Sequence, residues 1–167
     1  PSLSITPLWA GAKGDGISDD TEALQKTIEF CLSTKLSLRS TTQKYAVSGT
    51  LLIPRNFDST FTKSRHIDLD FGYSDFILTA DNPLFESGYY NESGILVSSF
   101  GQPFESQNSF EIQLHGFSIS STIGYPNSAA IRIQDWHQGC ELYSVTTNIF
   151  KTFLESRQNF YMNFRKL

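Results

Sequence analysis

The chain has 167 residues, a length that fits one domain, and its formal net charge at pH 7 is −4. Aromatic residues make up 14% of the chain and charged residues only 18%, a balance opposite to that of a disordered chain. The negative charge argues against a dedicated nucleic-acid-binding protein, and no apolar run approaches the roughly 18 residues that insertion into a membrane requires.

The first element that the sequence predicts is a helix from about Asp20 to Ser33. Asp19 is the expected N-cap, and Glu22, three residues later, would complete a capping box with it. Apolar residues then recur at positions i, i+4, i+7 and i+8, which places them on one stripe of the helix. The stripe consists of Leu24, Ile28, Cys31 and Leu32.

Short strands are predicted throughout the rest of the chain. Apolar and polar residues alternate over 67–71, so Asp68 and Asp70 would lie on an outward, solvent-facing side. No second helical pattern separates the strands, which argues against a βαβ sheet and leaves a sandwich, a barrel or a β-solenoid. The other predicted strands lie at 51–53, 76–78, 95–97, 110–114, 117–119 and 131–133.

The spacing of apolar residues favours the solenoid among these folds. Aligning Ile131 with Phe153 also aligns Leu142 with Phe164, at an offset of about 22 residues. Ile112 aligns with Leu142 at about 30 residues, which is the same repeat plus a loop of about eight. A repeat of about 22 residues suits one coil of a parallel β-helix, in which inward side chains stack on their equivalents in the next coil.

A specific motif opens the chain. Residues 9–25 read WAGAKGDGISDDTEALQ and closely resemble the opening signature of the pectate-lyase-like superfamily, G-A-x-G-D-G-x-x-D-D-T-x-A-[IL]-Q. That superfamily includes pectin-cleaving enzymes, related glycoside hydrolases and the tailspike depolymerases of bacteriophages. The resemblance implies an all-β fold, a single-stranded right-handed parallel β-helix with an N-terminal α-helical cap. It implies a single domain over 1–167, with the opening motif and capping helix at 1–38 and the first coils, with loop insertions, at 39–167.

The motif also has physical roles that can be read from its residues. Its glycines permit tight turns and positive φ angles, and Asp15 is placed to accept backbone N–H bonds within such a turn. The helix that follows would cover the open end of the solenoid, whose first coil otherwise exposes apolar surface and strand edges. The structural residues of the motif are Gly11, Gly14, Asp15, Gly16, Asp19 and Asp20.

Candidate catalytic and binding residues follow from the chemistry of polysaccharide cleavage. Hydrolysis needs two carboxyl groups roughly 5 to 9.5 Å apart, one as proton donor and one as base or nucleophile. Neighbouring coils of a solenoid lie about 4.8 Å apart, so carboxylates one or two coils apart satisfy that distance. The candidate catalytic residues are Asp135, Glu141 and Glu155.

Sugars stack on aromatic rings and pair with polar groups. The candidate carbohydrate-binding residues are Tyr90, Tyr125, Trp136 and His137.

Some of these residues, and the other histidines and cysteines, also fit purely structural roles. Trp136 also fits a partly buried position in a turn. His66 and His115 show no metal-ligand spacing and fit structural positions, so we expect no metal and no cofactor. Cys31 and Cys140 match neither a disulfide framework nor a metal site and fit buried apolar positions.

The resemblance also implies a function. Its leading form is a segment of a bacteriophage tailspike that binds and helps to degrade a bacterial surface polysaccharide, a capsule or an O-antigen, during host recognition. Such a protein would be a homotrimer on the virion tail, extracellular once released, with other tail or baseplate proteins as further partners. The alternatives are a secreted bacterial polysaccharide lyase or glycoside hydrolase, and a non-catalytic β-helix adhesin or stalk. Because 164–167 bring no second cap, we expect a longer β-helix to contain this chain and, with it, residues of the active site.

Overall fold

The computed structural model describes residues 4–54, 66–102, 111–134, 136, 140–157 and 163–165. These residues form one α-helix, α1 (Thr21–Thr34), which follows a 3₁₀ turn at Pro7–Ala10. No helix among them is long and apolar enough to cross a membrane. The strands are β1 (Ser4–Ile5), β2 (Asp15–Asp19), β3 (Ser37–Arg39), β4 (Lys44–Val47), β5 (Leu51–Pro54), β6 (His66–Leu78), β7 (Phe85–Tyr90), β8 (Leu96–Ser98), β9 (Glu111–Ser121), β10 (Ile131–Gln134), β11 (Glu141–Thr147), β12 (Leu154–Arg157) and β13 (Asn163–Arg165).

The strands form two sheets that are almost wholly parallel. In the described part of the chain, sheet A has eight strands in the order β1-β3-β6-β9-β11-β13, with β2 paired to β4 and β4 also paired to β6. Sheet B has five strands in the order β12-β10-β7-β5, and β8 adds an antiparallel hairpin to β7. Among the strands that the structure describes, neither sheet closes on itself. The prediction of a mostly β chain with parallel strands and an N-terminal helix is therefore confirmed.

The core lies where the inward sides of the two sheets meet. Phe71, Phe76 and Phe117 of sheet A contact Phe85 of sheet B there, with ring centroids 5.3 to 5.7 Å from that of Phe85. The three rings of sheet A also contact one another, with centroids 5.0 to 5.9 Å apart. Most of these ring pairs are edge-to-face, an arrangement that stabilises beyond the burial of apolar area. The positions that alternation predicts as inward are buried: Ile67, Leu69, Phe71, Ile112, Leu114, Phe117, Ile119, Ile131 and Ile133.

The strand register corrects part of the predicted repeat. The observed pairs are Leu142–Phe164, Ile131–Leu154 and Leu142–Leu114. The first pair matches the predicted offset. The second differs by one residue from the alignment with Phe153, and the third differs by two residues from the alignment with Ile112. The loops between strands differ in length, and sequence spacing alone does not reveal where the extra loop residues lie.

Helix α1 buries its predicted apolar stripe but begins differently from the prediction. The N-cap position is Asp20, whose carboxylate caps no helix N–H group. Its oxygens instead accept bonds from the backbone N–H groups of Lys13, at 2.6 Å, and Gly14, at 3.1 Å. Glu22 forms an ion pair one turn along the helix. The predicted capping box between Asp19 and Glu22 is therefore wrong, because the side chains at this end have other partners. The stripe residues Leu24, Ile28, Cys31 and Leu32 are all buried.

The opening motif adopts the turns that its residues favour. Gly11, Gly14 and Gly16 have φ angles of 98°, 64° and 73°. A Cβ atom on Gly14 would lie 2.6 Å from Gln43 Oε1, the end of a side chain that can move, so the positive φ is the main reason for glycine at this turn. Asp15 Oδ1 accepts bonds from the N–H groups two and three residues later, at 2.9 and 2.8 Å.

Three neighbouring strands of sheet A contain residues with positive φ at one level, which we call the bend. Its residues are Gly72 (60°) and Tyr73 (61°) in β6, Gly116 (74°) in β9 and Ser144 (52°) in β11. Paired residues flank the bend on both sides, and the register between β6 and β9 shifts across it. Three residues of β6, 71–73, lie opposite the single residue Gly116 of β9. Extra residues on one strand interrupt the ladder and turn that strand. The bend therefore divides the outer surface of sheet A into two parts.

Candidate functional site

Two lines of polar side chains cross the outer side of sheet A before the bend. Equivalent positions on neighbouring strands lie about 4.8 Å apart. One line, the histidine row, consists of Arg39 (β3), Asp70 (β6), His115 (β9) and Tyr143 (β11). The other line, the carboxylate row, consists of Asp68 (β6), Gln113 (β9) and Glu141 (β11). We call the two rows together the polar face.

Local alternation along each strand builds the polar face. On β6, Ile67 and Leu69 are buried, whereas Asp68 and Asp70 are only partly covered. Successive side chains of a strand point to opposite sides, so the aspartates point away from the core. The predicted outward direction of Asp68 and Asp70 is confirmed, but their side chains are only 14% and 24% exposed, so the predicted solvent-facing position is corrected.

His115 lies between the two aspartates of β6. Its Nε2 is 2.6 Å from Asp68 Oδ1, and its Nδ1 is 3.7 Å from Asp70 Oδ1. Arg39 contacts the remaining oxygens of the same carboxylates, with Nη2 3.0 Å from Asp68 Oδ2 and Nη1 3.4 Å from Asp70 Oδ2. The side chains of Asp68 and His115 are 14% and 13% exposed, so the group is shielded from water on most sides.

The surroundings of Asp68 keep its carboxyl group ionised. Burial raises its pKa, but the hydrogen bond from His115 and the charges of His115 and Arg39 outweigh burial and hold the pKa below its usual value. An ionised carboxylate can only accept hydrogen bonds, so His115 Nε2–H is the donor of the short contact. Asp68 thereby fixes the orientation of the imidazole ring.

Tyr143 covers one side of the same imidazole ring. The two rings are stacked, with centroids 4.2 Å apart and planes 12° apart. This contact follows from the register, because Tyr143 pairs directly with His115. The imidazole is held by a carboxylate at one edge and by an aromatic ring on one face, which leaves it little freedom to rotate.

The carboxylate row places two acidic side chains at a spacing suited to sugar chemistry. Asp68 and Glu141 occupy the same register position two strands apart, with Gln113 between them. Strand spacing separates their Cα atoms by roughly 9 to 10 Å. Inverting glycosidases hold their two carboxyl groups roughly 6.5 to 9.5 Å apart, a separation that side chains on Cα atoms at this distance can reach. Gln113 Nε2 donates to Glu141 Oε2 at 3.5 Å. Glu141, one of the predicted catalytic residues, thus belongs to the polar face.

The other predicted catalytic residues do not join Glu141 in the described part of the chain. Glu155 lies on β12 of sheet B, where its Oε2 accepts from Arg132 Nε at 2.9 Å. Arg132 also faces Glu86 of β7, with Nη1 and Oε2 3.7 Å apart. Glu155 therefore belongs to a separate ion-pair line on sheet B. Asp135 lies outside the described residues.

The predicted carbohydrate-binding residues occupy different environments. Trp136 is 3% exposed and belongs to the core, which corrects its assignment as a sugar platform, because no ring face is open to a ligand. The Tyr90 hydroxyl donates to Glu29 Oε2 of α1 at 2.7 Å. Burial of Tyr90, and then the hydrogen bond and charge of Glu29, raise the pKa of that phenol. Tyr125 is 73% exposed, in the segment after β9. His137 lies outside the described residues.

The sequence interpretation missed most of the polar face. It treated Asp68 and Asp70 as solvated and His115 as structural, and it did not name Tyr143. One signal was available, since aligning Leu114 with Leu142 places His115 opposite Tyr143. Within the described residues, no group of three or more His, Cys, Asp or Glu side chains is arranged to hold a metal ion.

Comparisons with known proteins find similarity at the level of structure. No protein-family model matches the chain, and no curated protein matches it. It is similar to ORF18 of Geobacillus virus E2, with a TM-score of 0.41 and 16% identity over 86% of this chain and 27% of the viral chain. This chain thus spans about a quarter of the viral protein. It is also similar to a proposed glycosyl hydrolase from Parabacteroides merdae ATCC 43184, with a TM-score of 0.37 and 9% identity over 97% of this chain and 96% of that one.

Proposed function

We propose that this chain is part of a right-handed parallel β-helix that binds a bacterial surface polysaccharide, and helps to degrade it, on the polar face. The observation that carries the proposal is the position of Asp68 and Glu141 in one row, beside the fixed imidazole of His115. Carboxylates, an amide and an aromatic ring on a rigid sheet are the groups with which proteins hold sugars.

The order of the strands supports the β-helix. From β4 to β7, and again from β9 to β13, successive strands alternate between sheet A and sheet B, and each return lies one strand further along the sheet. Parallel connections of this kind are right-handed in nearly all proteins. The resemblance of residues 9–25 to the pectate-lyase-like signature points to the same architecture.

The two carboxylates support hydrolysis with inversion. Asp68, held ionised by His115 and Arg39, takes a proton from water as the water oxygen attacks the anomeric carbon. Glu141 donates a proton to the glycosidic oxygen as its bond to that carbon breaks. His115 keeps Asp68 in position and does not exchange protons with the sugar.

The biological setting is proposed from the resemblance. A tailspike-type protein would act as a homotrimer on the virion tail, with tail or baseplate proteins as neighbours. A secreted polysaccharide lyase or glycoside hydrolase would be a monomer active on a polymer in its surroundings. A trimer that persists on dilution, measured by sedimentation, favours the tailspike.

A non-catalytic adhesin is the second candidate, and one observation favours it. Both Asp68 oxygens already accept contacts, Oδ1 from His115 and Oδ2 from Arg39. A carboxylate engaged in this way holds a ligand well but removes a proton less readily than one with an open oxygen. Retained binding without cleavage would select this candidate.

A depolymerisation assay tests the proposal directly. The chain, and a longer protein that contains it, would be incubated with purified capsular and O-antigen polysaccharides, and both reducing ends and ultraviolet absorbance would be followed. Hydrolysis creates reducing ends alone, whereas a lyase also creates an absorbing unsaturated product. We expect Asp68→Asn and Glu141→Gln each to reduce hydrolysis by about 100-fold or more, the usual contribution of a general acid or base.

The matched control is Glu155→Gln, which removes a carboxylate from sheet B. It should leave hydrolysis within about two-fold of the wild type, because Glu155 faces Arg132 and not the polar face. Formation of an ultraviolet-absorbing product would show that the polysaccharide is cleaved by a lyase reaction and not by hydrolysis. Equal loss of activity in all three variants would remove the polar face as the site of cleavage, and absence of both binding and cleavage would reject the proposed function.

A further inference from the structure

We infer that Tyr73 is a sugar-stacking platform that selects the saccharide unit bound beside the polar face. This inference rests on the proposed function and deepens it. Tyr73 lies in the bend of β6, and its side chain is 75% exposed. Its φ angle is 61°, in the left-handed region that bulky side chains rarely adopt. A large aromatic residue therefore occupies a position that suits Gly or Asn better, with its ring in water.

The structure around Tyr73 holds the bend firmly. The Gly72 N–H donates to Asp70 Oδ1 at 2.9 Å, and the Thr42 hydroxyl donates to the Gly72 carbonyl at 2.8 Å. The buried Ser74 hydroxyl donates to the Phe71 carbonyl at 2.6 Å. An unfavourable backbone angle persists only when its neighbours determine it in this way, and such positions concentrate at binding sites. A ring on a fixed backbone loses little freedom when a ligand stacks on it.

Polar groups lie on both sides of Tyr73 along its strand. Asp70 of the histidine row precedes it by three residues. Asp75 follows it by two residues and accepts bonds from the hydroxyl groups of Ser118 and Ser120, each at 3.0 Å. A sugar chain that crosses the bend along β6 therefore meets a carboxylate, an aromatic ring and a second polar cluster in turn.

The neighbouring strand packs closely against the bend beside Tyr73. The residue of β9 at the bend is Gly116, which has no side chain. A Cβ atom there would lie 2.8 Å from Asp70 Oδ1 and 3.5 Å from the backbone nitrogen of Tyr73. The glycine therefore lets β9 lie directly against the bend, which further fixes the backbone that holds the exposed Tyr73 ring.

The chemistry around Tyr73 indicates the class of ligand. An exposed tyrosine ring favours the apolar C–H face of a pyranose, and the carboxylate and hydroxyl groups nearby accept or donate hydrogen bonds to sugar hydroxyls. The acidic groups that flank Tyr73 along its strand, Asp70 and Asp75, repel a sugar that carries a carboxylate. We therefore assign the surface at Tyr73 to a neutral hexose or deoxyhexose unit of the polysaccharide.

Substitutions at Tyr73 separate this role from a structural one. Tyr73→Asn keeps a residue that tolerates the left-handed turn and removes the ring. Tyr73→Trp keeps a stacking surface. Trp9→Ala is the matched control, because Trp9 is an exposed aromatic residue, 69% exposed, on the 3₁₀ turn. The full chain would be used in each case.

The experiment measures binding and thermal stability together. The probes are purified capsular and O-antigen polysaccharides, with dextran and cellohexaose as defined neutral glucans. We expect Tyr73→Asn to raise Kd at least ten-fold for the glycan that the wild type binds, with Tm unchanged or higher. Tyr73→Trp should bind within about three-fold of the wild type, and Trp9→Ala should not change Kd.

Two outcomes overturn the inference in different ways. Wild-type affinity in Tyr73→Asn, or a loss of Tm that accounts for the weaker binding, would make Tyr73 structural and would leave the proposed function intact. A wild type that binds none of the probes would reject the proposed function, and with it the assignment of Tyr73.

Discussion

The side-chain amide of Gln25 pairs with both backbone polar groups of Leu52. Nε2 of Gln25 donates to the Leu52 carbonyl at 3.0 Å, and Oε1 accepts from the Leu52 N–H at 2.8 Å. Leu52 lies on β5, the end strand of sheet B, so the glutamine of α1 takes the place of a further strand's peptide group. Glu29 holds the amide in turn, because its Oε1 accepts from Gln25 Nε2 at 3.0 Å. The helix thereby protects an edge that otherwise invites pairing with another chain.

Gln25→Ala should weaken the fold at this edge. We expect the free energy of unfolding to fall by about 1 to 3 kcal/mol, because two backbone groups lose their partner, and we expect more aggregation on heating. Urea denaturation and size-exclusion chromatography would measure both effects. Lys26→Ala, on an exposed part of the same helix, should change stability by no more than about 0.5 kcal/mol. Equal effects of the two substitutions would show that the amide contributes nothing.

Gly72→Ala should destabilise the bend far more than a glycine substitution elsewhere. A Cβ atom on Gly72 would lie 2.1 Å from the Ser40 carbonyl oxygen. Gly94 is a matched control, because its φ of 72° is similar and no atom lies within 4 Å of its added Cβ. Gly94→Ala should cost about 1 to 2 kcal/mol for the left-handed angle alone. Gly72→Ala should lower the free energy of unfolding by about 1 to 3 kcal/mol more than Gly94→Ala does, which is the usual effect of overpacking. Urea denaturation would measure both variants. A difference near zero would contradict the steric argument.

Trp136→Ala should lower the stability of the fold. Because Trp136 is 3% exposed within the core, its removal should lower the free energy of unfolding by about 3 to 5 kcal/mol. Tyr125→Ala, at a position 73% exposed, should change that free energy by no more than about 0.5 kcal/mol. Thermal unfolding followed by circular dichroism would measure both. A Trp136→Ala protein as stable as the wild type would return Trp136 to the candidate ligand-binding residues.

The carboxylate of Asp19 should make stability depend on pH in acid. Burial raises the pKa of Asp19, but hydrogen bonds from Ser48 and Thr21 outweigh burial and lower it below its usual value. A lowered pKa in the folded state adds stability that is fully present above the unfolded-state value, about 4, and is lost as the pH falls through the folded-state value. Urea midpoints should therefore decrease from pH 5 to pH 2.

Asp19→Asn tests this origin of the acid sensitivity. The variant should be less stable than the wild type at pH 7, and the difference between the two should shrink as the pH falls below about 4. Glu92→Gln, the control, removes an exposed loop carboxylate and should leave the free energy of unfolding at pH 7 within about 0.5 kcal/mol of the wild type. If the difference in stability between Asp19→Asn and the wild type stays constant from pH 7 to pH 2, titration of Asp19 is not the cause of the acid sensitivity.

The pattern of burial could be predicted from the sequence because it is local. Alternation over a few residues separates the buried Ile67 and Leu69 from the outward Asp68, and the helical period groups Leu24 with Ile28. These patterns depend on the geometry of one strand or one helix. They need no knowledge of which elements become neighbours.

The polar face and the helix cap could not be predicted in the same way because both depend on distant partners. Asp68 and His115 are 47 residues apart, and only the register of β6 and β9 brings them together. The sequence favours Asp19 as the N-cap, but the N-cap position is Asp20, whose carboxylate binds the N–H groups of Lys13 and Gly14 and caps no helix N–H. The left-handed angle of Tyr73 is likewise imposed by surrounding strands, since tyrosine has no local preference for it.

Residues that pair in register on sheet A are separated by unequal lengths of chain. Leu69 and Leu114 are 45 residues apart, Leu114 and Leu142 are 28 apart, and Leu142 and Phe164 are 22 apart. Lengthening a loop costs little free energy, whereas a shift of one residue within a strand exchanges its inward and outward side chains. A loop between these strands can therefore gain or lose residues at little cost in free energy while the pairing of the strands stays intact.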